Sequence, residues 1–179
     1  NNGATTVNGY QAPGAGTETL ITPTSPVALE RHGSAIAVDG DVMVVGAPGT
    51  FMSGQGAAYV YRWNGSSWVF EARLTVAGTI NFGQSVSVQG NHVVVGAPET
   101  VNGGVSRAGA AYAFERSGGS WGAGTLLPFT DKVFESNFGT AVSIDNDRLV
   151  VGGLGRTSEG GFWTGKIWFY DFVGGAWVE

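Results

Sequence analysis

This sequence predicts an all-β architecture of four-stranded antiparallel sheets, set side by side as the blades of a β-propeller. Three observations carry the prediction. A set of landmarks recurs three times in the same order, at a spacing near that of one propeller blade. The segments between landmarks are short apolar runs closed by Asp-Gly, Asn-Gly and Gly-Gly turn signals. Glycine accounts for 31 of 179 residues, yet 42% are hydrophobic and 12% aromatic, so the glycines punctuate a packed chain rather than a disordered one.

The repeat begins at His32-Gly33, which returns as Phe82-Gly83 and Phe138-Gly139, 50 and 56 residues apart. Val44-Val45-Gly46-Ala47-Pro48 returns as Val94-Val95-Gly96-Ala97-Pro98 and, altered, as Val150-Val151-Gly152-Gly153-Leu154. Gly56-Ala57-Ala58-Tyr59-Val60-Tyr61 corresponds to Gly109-Ala110-Ala111-Tyr112-Ala113-Phe114 and to Gly165-Lys166-Ile167-Trp168-Phe169-Tyr170. Trp68, Trp121 and Trp177 close the series.

Each copy reads as four strands. In the first, 34–38 alternates small or apolar with polar residues, and Asp39-Gly40 is expected as a type I′ hairpin turn. Val42 to Val45 is nearly all apolar, as a strand buried on both faces requires. Gly46-Ala47-Pro48 ends it, because proline cannot donate to a ladder. A third strand runs from Gly56 to Trp63, Asn64-Gly65 turns the chain, and a fourth starts at Trp68. Small residues in the first two strands suit the crowded axis of radially placed sheets, and the aromatic residues fill the periphery where sheets diverge.

These landmarks resemble the FG-GAP repeat, named for the Phe-Gly and Gly-Ala-Pro seen here as Phe82-Gly83 and Gly96-Ala97-Pro98. The first copy has His32 in place of Phe, and the third has Gly153-Leu154 in place of Ala-Pro. The family builds the seven-bladed propeller of integrin α-subunits and occurs in many secreted bacterial proteins; this version is most similar to the bacterial type. The resemblance implies an extracellular interaction or adhesion scaffold. Calcium-binding members carry an Asp-x-Asp-x-Asp-Gly loop between the first two strands. Here the corresponding Asp39-Gly40-Asp41, Gln89-Gly90-Asn91 and Asp145-Asn146-Asp147 are too short and too poor in carboxylates to wrap calcium, and no metal is expected.

The organisation expected is a flexible arm over 1–13, a spare fourth strand and linker over 14–31, and blades over 32–81, 82–137 and 138–179. The last is expected to be incomplete, since Trp177 opens its fourth strand only two residues before Glu179. Gly14 to Pro23 resembles the fourth-strand sequence Gly122 to Pro128. Thr17, Thr19, Leu20 and Ile21 are therefore candidates for a strand completing the last blade, in the same or another chain. Three blades fall short of the roughly four to eight that close a propeller, so the chain reads either as part of a longer propeller or as a self-associating unit, ring or filament.

Composition excludes several functions. The net charge is −5 and the 9 Lys and Arg are scattered, which leaves no basic footprint for nucleic acid or anionic membrane. No apolar stretch approaches the roughly 20 residues of a spanning helix. Cysteine is absent, which removes disulfide and thiolate chemistry. The first residue is Asn1 rather than Met, and with low charge and many Gly, Ser and Thr this favours a trimmed, extracellular chain. The only histidines, His32 and His92, sit in no site motif, the first as a packing substitute for Phe and the second beside a turn. No catalytic residue and no cofactor is expected. Recognition is expected on the loops between second and third strands, through Phe51, Arg107, Arg156, Phe162 and Trp163, with a protein or a glycan as ligand.

Overall fold

The computed structural model describes residues 20–23, 29–49, 55–155 and 164–179. They form thirteen β-strands and no helix. Sheet 1 contains β1 (Ala35–Asp39), β2 (Val42–Ala47), β3 (Ala57–Trp63) and β4 (Trp68–Leu74) in that order. Sheet 2 contains β5 (Ser85–Gln89), β6 (His92–Ala97) and β7 (Ala110–Ser117). Its fourth position is shared by two short strands that both pair with β7, β8 (Ser120–Trp121) and β9 (Thr125–Leu126). Sheet 3 contains β10 (Phe138–Asp145), β11 (Arg148–Gly153), β12 (Lys166–Val173) and β13 (Ala176–Val178). Every pairing between strands is antiparallel. These are three propeller-like blades, and they do not close into a ring.

The sheets stack through two apolar cores. Between sheets 1 and 2 lie Val42, Val44, Ala58, Val60 and Leu74 on one side and Phe82, Val93, Val95, Tyr112 and Phe114 on the other. Between sheets 2 and 3, Ala111, Ala113 and Leu127 meet Phe138, Leu149, Val151, Trp168 and Tyr170. The central strands of sheet 2 are buried on both faces because sheet 2 has a neighbour on each side, and β2 of sheet 1 is buried along its whole length between sheet 2 and the cluster that includes Ile21. The alternation in β5 serves the same stacking. Val86 and Val88 turn into the core shared with sheet 1. On the opposite face the Ser85 hydroxyl donates to Gly139 O (2.8 Å) and Ser87 Oγ accepts from Ile144 N–H (3.1 Å), both in sheet 3.

The two halves of the repeat motif meet across these interfaces. A Cβ built on Gly46 would stand 2.1 Å from the carbonyl oxygen of Gly83, and one on Gly96 would stand 1.9 Å from that of Gly139. The Gly of each Gly-Ala-Pro is thus small because the Gly of the next Phe-Gly presses its backbone against it. The aromatic of each Phe-Gly fills the adjacent core. Phe138 stacks on Phe129 at 4.1 Å and meets Trp168 edge-on at 5.0 Å.

One expectation is corrected. The register pairs Asp39 with Val42, so the turn residues are Gly40 and Asp41, and only Gly40 has positive φ (56°). That is the type II′ pattern rather than type I′ on Asp39-Gly40. The expected closing strand falls mostly outside the described residues, of which only 20–23 belong to its span. Leu20 and Ile21 lie outside any strand, and Ile21 packs on the outward face of sheet 1 against the cluster of Met43, Val45, Tyr59 and Tyr61. Thr17 and Thr19 lie outside the described residues. Sheet 3 has a short fourth strand, β13, which pairs only with Asp171–Val173. Among the described residues no strand pairs with Ile167–Tyr170 on that outer side.

Candidate functional site

Of the loop residues expected to bind ligand, Phe51, Arg156, Phe162 and Trp163 lie outside the described residues. Arg107 is described, and its guanidinium serves the fold. It donates to Glu135 Oε1 (3.1 Å) and stands 3.8 Å from Glu99, while its backbone carbonyl accepts from Asn137 N–H. These contacts tie the loop between β6 and β7 to the segment entering β10.

Sheets 2 and 3 diverge toward their outer strands and leave a groove of about 590 Å³. Its walls include His92, Glu115, Trp121, Phe172, Ala176 and Trp177. The register places His92 opposite Glu115 on neighbouring strands. The His92 ring meets Phe172 (5.2 Å) and Trp177 (6.2 Å) edge-on, and Phe172 leans on Trp177 at 4.9 Å. His92 is thus a half-buried groove residue rather than a mere neighbour of a turn. A concave surface that combines aromatic rings with polar groups is a common form of recognition site. The signal available beforehand was the recurrence of Trp68, Trp121 and Trp177 at one repeat position.

Most strongly perturbed titratable groups are engaged elsewhere. Glu71 of sheet 1 accepts from Arg62 Nε (2.7 Å) and from Arg116 Nε (2.5 Å) and Trp121 Nε1 (3.1 Å) of sheet 2. Burial pushes its carboxyl upward, but the bonds from Arg116 and Arg62 outweigh burial and hold it below the usual range. Glu30 is buried, taking Tyr59 Oη–H on one oxygen and the Arg73 guanidinium on the other. His32 stands where Phe82 and Phe138 stand in the later copies, edge-on to Tyr59 at 5.0 Å and 3.0 Å from Tyr61 Oη. Burial lowers the His32 imidazole, with Glu30 pulling weakly the other way. Burial, aided by the hydrogen bond to Glu30, raises the Tyr59 hydroxyl. Among the described residues no three His, Asp or Glu side chains converge as metal ligands would.

The FG-GAP repeat family matches residues 17–61 and 68–114, just over half of the chain. This chain belongs to the FG-GAP repeat family. The second matched segment begins at the first residue of β4 and ends within β7, so the family's unit is an outer strand followed by the three inner strands of the next sheet. The first matched segment begins within the stretch Gly14 to Pro23 whose sequence resembles the fourth strand at Gly122 to Pro128. FG-GAP repeats are typical of extracellular and surface proteins. No curated protein matches the chain. The crystal structure of the computationally designed Ika4 protein is similar at 18% identity and a TM-score of 0.36, over 86% of this chain and 98% of that one. That likeness is too weak to place the fold.

Proposed function

We propose that this FG-GAP chain is a non-catalytic extracellular interaction and adhesion scaffold, and that the groove between sheets 2 and 3 is its recognition surface. The observation that carries the reading is the groove's lining. Trp121, Phe172 and Trp177 offer ring area, and His92 and Glu115 offer polar groups, all on strands whose positions the two cores fix. Rigid aromatic walls cost little conformational entropy on binding. The test is binding of the purified chain to an array of extracellular-matrix proteins and to a glycan array, with Ala176→Arg placed at the exposed lip of the groove. Protein binding lost in Ala176→Arg and kept in Trp163→Ala supports the reading. Glycan binding lost in Trp163→Ala and kept in Ala176→Arg replaces it with a lectin that uses Phe162 and Trp163.

A second reading is a structural subunit that assembles with copies of itself into an extracellular ring or filament. It is favoured by the outer side of β12 at Ile167–Tyr170, which no strand of the described residues occupies, and by the likeness of Gly14 to Pro23 to the fourth-strand sequence Gly122 to Pro128. In that reading Thr17, Thr19, Leu20 and Ile21 supply the strand to a neighbouring copy.

A further inference from the structure

The two ends of the stack carry matching halves of the interface that joins its sheets. At the sheet 1 end, Ile36 and Val38 are 62% and 56% exposed, whereas their equivalents Val86 and Val88 in sheet 2 are buried under sheet 1 at 9% and 7%. At the sheet 3 end, Ile167 and Phe169 are 58% and 63% exposed, whereas Ala58 and Val60 of sheet 1 and Ala111 and Ala113 of sheet 2, at the same repeat position, are buried under the following sheet. One end is a receiving face and the other a donating face, each built as in the two internal interfaces.

Four finer features point to the same occupant. Gly152 is the counterpart of Gly46 and Gly96, yet a Cβ there would meet only Ala141, at 3.5 Å. Gly33 is the counterpart of Gly83 and Gly139 with the same backbone turn (φ 98°), and nothing stands within 4 Å of its Cβ position. Across the first interface Asp39 Oδ2 accepts from Gly90 N–H (2.6 Å); Asp145 stands where Asp39 does, and Gly40 where Gly90 does. Finally, Ile21 lies 11 residues before His32 as Leu127 lies 11 before Phe138. Ile21 packs on the Tyr59 and Tyr61 face as Leu127 packs in the Phe138 and Trp168 core. The Ile21 segment therefore holds the place of an outer strand for a sheet yet to arrive.

We propose that the outward face of sheet 3 docks on the outward face of sheet 1 of a second copy, Gly152 against Gly33, with the Ile21 segment lying along the partner's β12. The proposal rests on the self-assembly reading and adds its geometry and its copy number. For this 179-residue stretch, two copies of the three described sheets make six, inside the roughly four to eight at which propellers close, and three copies make nine, outside it. The contact is heterologous and closes on itself once two are made.

Sedimentation velocity of the 179-residue chain tests this, with Phe169→Glu on the donating face, Ile36→Glu on the receiving face, and Gly152→Ala. The chain is expected to sediment at twice its own mass. Each of the three variants is expected to keep the wild-type circular dichroism and sediment as a monomer. Mixing Phe169→Glu with Ile36→Glu leaves one intact pair of faces, and a dimer is expected to return. A monomeric wild type overturns both the self-assembly reading and the proposal. Assemblies larger than two leave self-assembly standing and overturn closure at two copies. A dimer that survives any one variant, or a mixture that stays monomeric, overturns the facing of sheet 3 on sheet 1.

Discussion

Gly96→Ala asks whether the repeat's two motifs meet across the sheets. The added methyl would stand 1.9 Å from Gly139 O, 2.3 Å from Ser85 Oγ and 2.9 Å from Gly139 C. Such contacts are relieved only if the start of β10 retreats by about 1 Å, which loosens Phe138 and Trp168 in the second core. Overpacking of this kind costs about 1–3 kcal/mol. Loss of the hydrogen bond from Ser85 to Gly139 adds about 1 kcal/mol. The smaller entropy of an unfolded alanine returns about 0.4–1 kcal/mol. The expected net destabilisation is about 2–3 kcal/mol, or a drop of about 1–1.5 M in urea midpoint at an m-value near 2 kcal/mol/M. Gly152→Ala has the same unfolded-state gain and no clash, so it is expected to be neutral or slightly stabilising. Urea denaturation followed by tryptophan fluorescence, at concentrations where the chain is monomeric, measures both. A Gly96→Ala midpoint within about 0.2 M of wild type, or equal losses in the two variants, would refute the reasoning.

Further expectations concern the cores and the buried charges. Phe138→Ala removes a fully buried ring stacked on Phe129 and is expected to cost about 3–5 kcal/mol; a loss below about 1 kcal/mol in the same denaturation assay contradicts the second core. Glu71 has its folded pKa below the ordinary 4.5, so its contribution is complete above pH 4.5 and is lost as pH falls through the folded value. Glu71→Gln is therefore expected to flatten the acid limb of a stability profile, and an unchanged limb argues against the Arg62–Glu71–Arg116 bridge. His32 has its folded pKa below 6.5, so the unfolded chain takes up the proton first and stability falls as pH drops below 6.5. His32→Phe, the residue of the other two copies, is expected to remove that slope, measured as urea midpoint between about pH 7 and 5; a slope that persists unchanged contradicts the burial of the imidazole.

Most of the strand plan was legible because each strand is short, apolar and bounded by its own turn residues. Val42–Ala47, Ala57–Trp63 and Trp68–Leu74 fall within a residue or two of the expected spans. The hairpin type was not legible, since it depends on which residues pair, and Asp39 joins the ladder opposite Val42. The start of a fourth strand in sheet 3 was readable from Trp177 and the turn at Gly174-Gly175. Gly174-Gly175 folds Ala176–Val178 back at once, so three residues suffice to begin pairing. The ligands of Glu71 were out of reach because Arg116 and Trp121 lie 45 and 50 residues away and meet it only once sheets 1 and 2 are stacked. The groove was half legible. Trp121 and Trp177 stood out as repeat positions, but His92 and Phe172 join them only through the splay of sheets 2 and 3.

The central claim is the order of stacking, with sheet 2 between sheets 1 and 3. The chain contains no cysteine, so an introduced pair reports without interference. Gln89 Nε2 donates to Asp145 Oδ1 across the second interface at 3.2 Å, whereas Asp39 reaches Gly90 instead. Under mild oxidation of dilute protein, Gln89→Cys with Asp145→Cys is expected to form an intrachain disulfide quickly, and Asp39→Cys with Asp145→Cys to form little. An Asp39–Asp145 pair that closes within one chain as fast as the Gln89–Asp145 pair would contradict the stack.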